Sequence, residues 1–79
     1  MDIKILGTGC PTCKNLEKAT REVVTEMGID ATISKEEDIM AIMSFGVMRT
    51  PGLVINGKVV VSGRLPASSE IKSMIEQNR

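Results

Sequence analysis

Apolar and polar residues alternate at the start of the chain, in Asp2-Ile3-Lys4-Ile5-Leu6, and this period of two predicts a strand that stops at Gly7 and Gly9. The spacing then lengthens. Leu16, Ala19, Val23, Val24 and Met27 recur at helical intervals. Pro11 suits a first helical turn, because its fixed φ fits and its missing N–H is not needed there. Gly28 is a good helix stop, so a helix is predicted over residues 11–27. Asp30–Ile33, with Ala31 and Ile33 alternating, predicts a second strand. Ser34 and Glu37 have the spacing of a capping box and predict a helix with Ile39, Met40, Ile42 and Met43 on its apolar face, ending near Phe45-Gly46. Met48-Arg49-Thr50-Pro51 breaks the pattern. Leu53–Ile55 and Lys58–Val61 flank Asn56-Gly57, a two-residue hairpin signal. Ser68 or Ser69 opens a last helix with Ile71, Met74 and Ile75 turned inward.

The predicted order is β-α-β-α-β-β-α. A helix joining the first two strands implies a parallel, right-handed crossover, and the hairpin adds antiparallel pairing. The expected fold class is α/β: a mixed four-stranded sheet with helices on both faces, in a single domain over residues 1–79. No repeat, linker or low-complexity segment interrupts it.

Composition narrows the function. Ten basic residues balance ten acidic ones, so no global field draws in nucleic acid or anionic lipid. With no Trp, no Tyr and one Phe, there is no aromatic platform for stacking bases. No apolar run approaches the roughly 20 residues of a membrane span, and Asp2 follows Met1 where a signal segment would carry basic charge. The expected setting is cytoplasmic, with neither nucleic acid nor membrane as a partner.

The chemistry-bearing stretch is Leu6-Gly-Thr-Gly-Cys-Pro-Thr-Cys-Lys14, which holds both cysteines. A metal clamp, a structural staple and a redox catalyst all use Cys-x-x-Cys. In a reducing compartment a passive staple is disfavoured. With no His and only two sulfur ligands, one chain cannot complete a four-coordinate zinc site. Small metal carriers with this motif also end in a strand, usually with Met two residues before the first Cys; here Thr8 stands there and a helix is predicted last. A carrier sharing a soft metal between two chains, and a redox sensor without turnover, stay open as alternatives. Gly7-Thr8-Gly9 lacks the third glycine and the Lys-Ser/Thr pair of a phosphate loop, and reads as a close backbone turn beneath the cysteines.

Cys-x-x-Cys at the first strand-to-helix turn of a βαβ unit reads as a redox motif. Together with Thr50-Pro51 directly before the strand Leu53–Ile55, it makes nearly the whole chain resemble the thioredoxin superfamily. The likeness is greatest to small archaeal and bacterial thioredoxin/glutaredoxin-like proteins, the redox-active disulfide proteins. The resemblance implies a minimal thioredoxin fold without the extra N-terminal strand and helix, a cis proline at Pro51, and protein dithiol–disulfide exchange. Cys10 at a helix start has its thiolate favoured by unpaired N–H groups and the helix dipole, below a free thiol's pKa of about 8.5, and is the expected nucleophile. Cys13, one turn on and more buried, is the expected resolving thiol. Thr50 and Pro51, with Pro11 and Thr12, are expected to shape a substrate groove, Thr50 offering backbone to an extended peptide. Met48 is a candidate groove lining, and Lys14 a candidate source of charge near the thiolate. The expected partners are disulfide-containing target proteins and a separate electron donor, such as a flavoprotein thioredoxin reductase. No cofactor or metal is expected within the chain.

The sequence departs from both branches of that superfamily. Ser62-Gly63-Arg64-Leu65 stands where glutaredoxins usually carry a Gly-Gly-x-Asp-like segment for glutathione, and there is no Asp. Gly9 stands where thioredoxins usually have Trp. Lys4 stands, ungapped, where they have a buried acid that accepts the resolving thiol's proton. Glu17, one turn beyond Cys13, is the candidate replacement.

Overall fold

In a computed structural model, which describes residues 1–9 and 11–78, the elements follow as β1 (Asp2–Leu6), α1 (Pro11–Met27), β2 (Thr32–Glu36), α2 (Ile39–Ser44), β3 (Gly52–Ile55), β4 (Lys58–Ser62) and α3 (Ser68–Gln77). The four strands form one sheet in the order β2-β1-β3-β4. β1 runs parallel to β2 and antiparallel to β3, and β3 antiparallel to β4. This is the mixed sheet and the order of elements expected.

The strand alternation divides the apolar residues between two faces. Ile3, Ile5, Leu53 and Ile55 meet Leu16, Val23 and Val24 of α1 and Ile71 and Ile75 of α3. Leu6 and Val54 point the other way, to Ile42 of α2 and Val47. β4 carries one residue more than β3 opposes: Leu53 pairs with Val61 and Val54 with Val59, leaving Val60 as the bulged residue. The bulge lets the consecutive Val60 and Val61 both address the α1–α3 core, while Val59 packs with the α2 side. Thr20 is fully buried among these apolar groups, and its hydroxyl donates to the Leu16 carbonyl at 2.8 Å. That bond removes the cost of an unpaired buried hydroxyl.

Two expectations are corrected. The second strand is Thr32–Glu36 rather than Asp30–Ile33, and Ser34 is a strand residue opposite Lys4, not a helix cap. Five parallel pairs with β1 satisfy more backbone groups than one side-chain cap does. The cap of α2 is instead Asp38, whose Oδ1 accepts from Met40 N–H at 2.9 Å. α2 is also too short to bury the predicted face. Six residues make under two turns, so Ile42 reaches the sheet while Ile39, Met40 and Met43 are 55%, 72% and 57% exposed.

The hairpin turn has both central residues at positive φ, Asn56 at 51° and Gly57 at 81°, which matches the twist of the flanking strands. Asn56 also ties three elements together. Its Oδ1 accepts from Asp2 N–H at 2.9 Å, and its Nδ2 donates to the Asn78 carbonyl at 2.8 Å, beyond α3. Asn56→Ala is therefore expected to lower unfolding stability by about 1–2 kcal/mol, the net of two solvent-accessible hydrogen bonds, read from the urea midpoint at unchanged m-value.

α3 begins without a side-chain acceptor on its N-cap, Ala67, and Glu70 serves from inside the first turn. Its Oε1 accepts from Ala67 N–H at 3.2 Å, and its carboxylate pairs with Arg64 at 2.8 Å. The Arg64 hydrogen bond, then the Ala67 N–H, hold the Glu70 carboxyl below its ordinary 4.5. A lowered carboxylate contributes stability above its unfolded pKa and loses it as pH falls through the folded value. The stability difference between wild type and Glu70→Gln should be present at pH 6 and shrink below the ordinary value of 4.5, as followed by denaturant melts across that range.

Candidate active site

The chain leaves β1 at Leu6 and enters α1 at Pro11. Gly7 is buried and extends the β1–β2 ladder, its N–H donating to the Glu36 carbonyl at 3.0 Å. Cys13, in the first turn of α1, is 5% exposed and packs directly on Gly7. A Cβ on residue 7 would lie 2.8 Å from Cys13 Cβ and would collide with Cys13 Sγ. Close approach, rather than backbone conformation, is what requires glycine there. Cys13 is disulfide-bonded. Cys10, the other cysteine of the sequence, and the nucleophilic role expected of it lie outside the described residues.

Across the sheet, the Thr50–Pro51 peptide bond is cis. Pro51 is buried and Thr50 half-buried. The Pro51 carbonyl accepts from Gly63 N–H at 2.9 Å, and Arg49 lies over Gly63, its Cβ 3.1 Å from where a Cβ on residue 63 would sit. Leu6 pairs with Gly52, so the residue after β1 and the residue before β3, Gly7 and Pro51, leave the sheet at the same end. Pro11 and Thr12 are exposed as the first two residues of α1, and Met48 is 90% exposed two residues before Thr50.

Beside Cys13 lies a small cavity of about 50 Å³, lined by Cys13 and Gly7 and by the charged residues Lys14, Glu17, Lys35 and Glu37. Glu17 is held from two sides. Arg21 Nη2 and Nε reach its Oε2 at 3.0 and 3.1 Å, and Lys35 Nζ lies 3.6 Å from its Oε1. Lys35 also faces Glu37 at 3.8 Å. The sequence pattern placed Lys14 and Glu17 here and missed Lys35. Once β2 is extended to Glu36, Lys35 shares the side of Ile33, which packs on the α1–α3 core. A larger depression, about 530 Å³, lies by Met1, Met27 and Asn56, touching none of the expected site residues. Among the described residues, no three His, Cys, Asp or Glu side chains gather to hold a metal, and no helix is long and apolar enough to cross a membrane.

A buried, disulfide-bonded cysteine at the head of a helix, opposite a cis proline before an antiparallel strand, matches a known family. The family model described as Thioredoxin domain matches residues 1–76. The chain belongs to this thioredoxin family. It is 41% identical over 75 residues to a thioredoxin of Methanothermobacter thermautotrophicus, covering 95% of this chain and 97% of that protein. It is 38% identical over 74 residues to a thioredoxin of Methanocaldococcus jannaschii, covering 94% and 85%. A probable thioredoxin of Archaeoglobus fulgidus is 31% identical over 71 residues, covering 86% and 77%. The general chemistry these relationships support is thiol–disulfide exchange.

Within this thioredoxin fold, the position six residues before Cys10 is on the wrong face to serve Cys13. Lys4 points to the α2 side, its Nζ 5.7 Å from the Phe45 ring centroid, a cation–π distance. Gly7 is where the fold is least tolerant. Gly7→Ala should cost about 1–3 kcal/mol, as overpacked sites do, with the loss measured by denaturant unfolding of the oxidised protein. Gly9→Ser, one turn of loop away with open space around its Cα, is the comparison; it should show only the smaller penalty of its positive φ.

Proposed function

We propose that the chain is a small cytoplasmic protein dithiol–disulfide oxidoreductase, a single domain over residues 1–79 working through Cys10-Pro11-Thr12-Cys13. Cys10 is the nucleophile. As a thiolate next to the head of α1, it attacks a target disulfide and forms a mixed disulfide, releasing one target thiol. Cys13 then attacks Cys10, the mixed bond breaks, and the second target thiol leaves. The target has gained two electrons and the protein has become the Cys10–Cys13 disulfide. The observation that carries this reading is the state of Cys13: disulfide-bonded, buried, and packed on Gly7, which leaves the sheet at the same end as Pro51.

The neighbours then take roles. Thr50 and Pro51 shape the groove in which an extended target segment lies, with Thr50 offering backbone groups to it. Pro11 and Thr12 form the exposed rim at the head of α1. Lys14, exposed beside Cys13, lends positive charge to the site. Targets are proteins with an accessible disulfide, and a separate donor, such as a flavoprotein thioredoxin reductase, returns the electrons. Neither a cofactor nor a bound metal takes part. A metal-carrier reading has less support, since with no His and only two sulfur ligands one chain cannot complete a four-coordinate zinc site from His and Cys.

The assignment of roles is tested by trapping. Cys13→Ser should accumulate mixed disulfides with a protein substrate through Cys10, resolved by dithiothreitol on non-reducing gels and by intact mass. Cys10→Ser should accumulate none. Equal trapping by the two variants would refute the assignment.

A further inference from the structure

Resting on the dithiol reading above, we infer that Glu17 is the proton acceptor for Cys13 in the resolving step, with Lys35 and Arg21 as the residues that position it. The resolving thiol must lose a proton to attack, and its surroundings restrict where that proton goes. The chain has no His and no Tyr, so carboxylates are the side-chain bases at neutral pH. Cys13 is buried, and two carboxylates share its cavity, Glu17 and Glu37. Glu17 is on the same helix four residues on, and residues at that spacing stack on one helix face. Its side chain is 20% exposed and is held through both oxygens by Arg21 and Lys35, whereas Glu37 is 60% exposed and meets Lys35 at 3.8 Å. The other charges facing the cavity, Lys14 from α1 and Lys35 from β2, are ammonium groups, and β1 contributes none.

The step balances as follows. The Cys13 thiol transfers its proton to the Glu17 carboxylate as its sulfur attacks Cys10. The Cys10–substrate bond breaks with its electron pair on the departing sulfur, and the proton on Glu17 passes through the open cavity to that thiolate or to water. No further oxidant or reductant is needed.

A field effect alone predicts the opposite outcome from a base. A carboxylate near a thiol disfavours its thiolate, so neutralising Glu17 would speed resolution if charge were its whole contribution. Removing a base slows it.

Reduced protein mixed rapidly with an equimolar amount of 5,5′-dithiobis(2-nitrobenzoate) separates the steps. One coloured thiolate is released as Cys10 attacks, in a concentration-dependent phase, and a second as Cys13 resolves, in a concentration-independent phase. In Glu17→Gln the first phase should stay within about two-fold of wild type. The second should slow by about 100-fold at pH 7, the scale of a positioned acid–base group. The deficit should narrow as pH rises into the alkaline range in which a thiol ionises unaided. A second phase that is unchanged, faster, or slowed equally at every pH would overturn the inference, as would a loss confined to Glu37→Gln. Should wild type itself release only one thiolate, the dithiol reading fails, and this inference with it.

Discussion

The pairing of Leu6 with Gly52, which closes the antiparallel ladder between β1 and β3, is the contact on which the reactive end depends. A parallel β3 would leave the sheet at the opposite end and separate the two loops. Because the pairing is antiparallel, the loop leaving β1 and the turn entering β3 emerge together. A side chain on residue 52 would meet Leu6 and the Val61 carbonyl at 3.4 Å, so the register tolerates little bulk. Two hydrogen bonds extend the sheet on either side of this point, from Gly7 to Glu36 and from Gly63 to Pro51. They hold the platform beneath Cys13 and the turn at Pro51 as continuations of the sheet rather than as free loops.

What the sequence made legible follows from how strongly each element is determined locally. α1 has an apolar stripe with a proline at one end and a glycine at the other, and its bounds are those predicted. The hairpin turn is set by two residues, Asn56 and Gly57, and it too matches. The bounds of β2 and the start of α2 were misplaced together because their local signals are weak and the strand pairing is remote. Ser34 and Glu37 have the spacing of a cap, but five ladder positions along β1 outweigh it. The site behaved likewise. Motifs in consecutive residues, Cys-x-x-Cys and Thr50-Pro51, were visible, whereas Lys35 entered the cavity only through the register of a parallel strand. Thr20 was missed for a related reason: a polar residue on an apolar stripe is recognisable as core only once its hydroxyl's partner, the Leu16 carbonyl, is known.

The two faces of the sheet are unequal. The α1–α3 side is a broad core, while the α2 side rests on Leu6, Ile42, Val47 and Val54. Fewer buried apolar groups hold α2 and the segment leading to Thr50, so local opening there costs less than on the other side. Exposed Met40, Met43 and Met48 belong to the same region. Unbranched thioether side chains adapt to varied surfaces. The α2 side thus combines soft, exposed side chains with a lightly anchored backbone.

The location of the carboxylate follows from the same division. An acid on β1 facing Cys13 would take the place of Ile5, which lines the cavity and is 2% exposed within the α1–α3 core. Ionised there, it would lose its hydration among apolar neighbours, a cost that a single partner rarely offsets. Lys4, on the opposite face, cannot reach Cys13 at all. Carried by α1 at position 17, the acid stands at the edge of that core, with one side toward the cavity and the other toward solvent. Arg21 and Lys35 there supply charge without themselves being buried, their side chains 53% and 51% exposed. On the assignment proposed above, an acid at position 17 would serve Cys13 from the helix and leave the strand position to Ile5, so the core of this small domain stays apolar beneath α1.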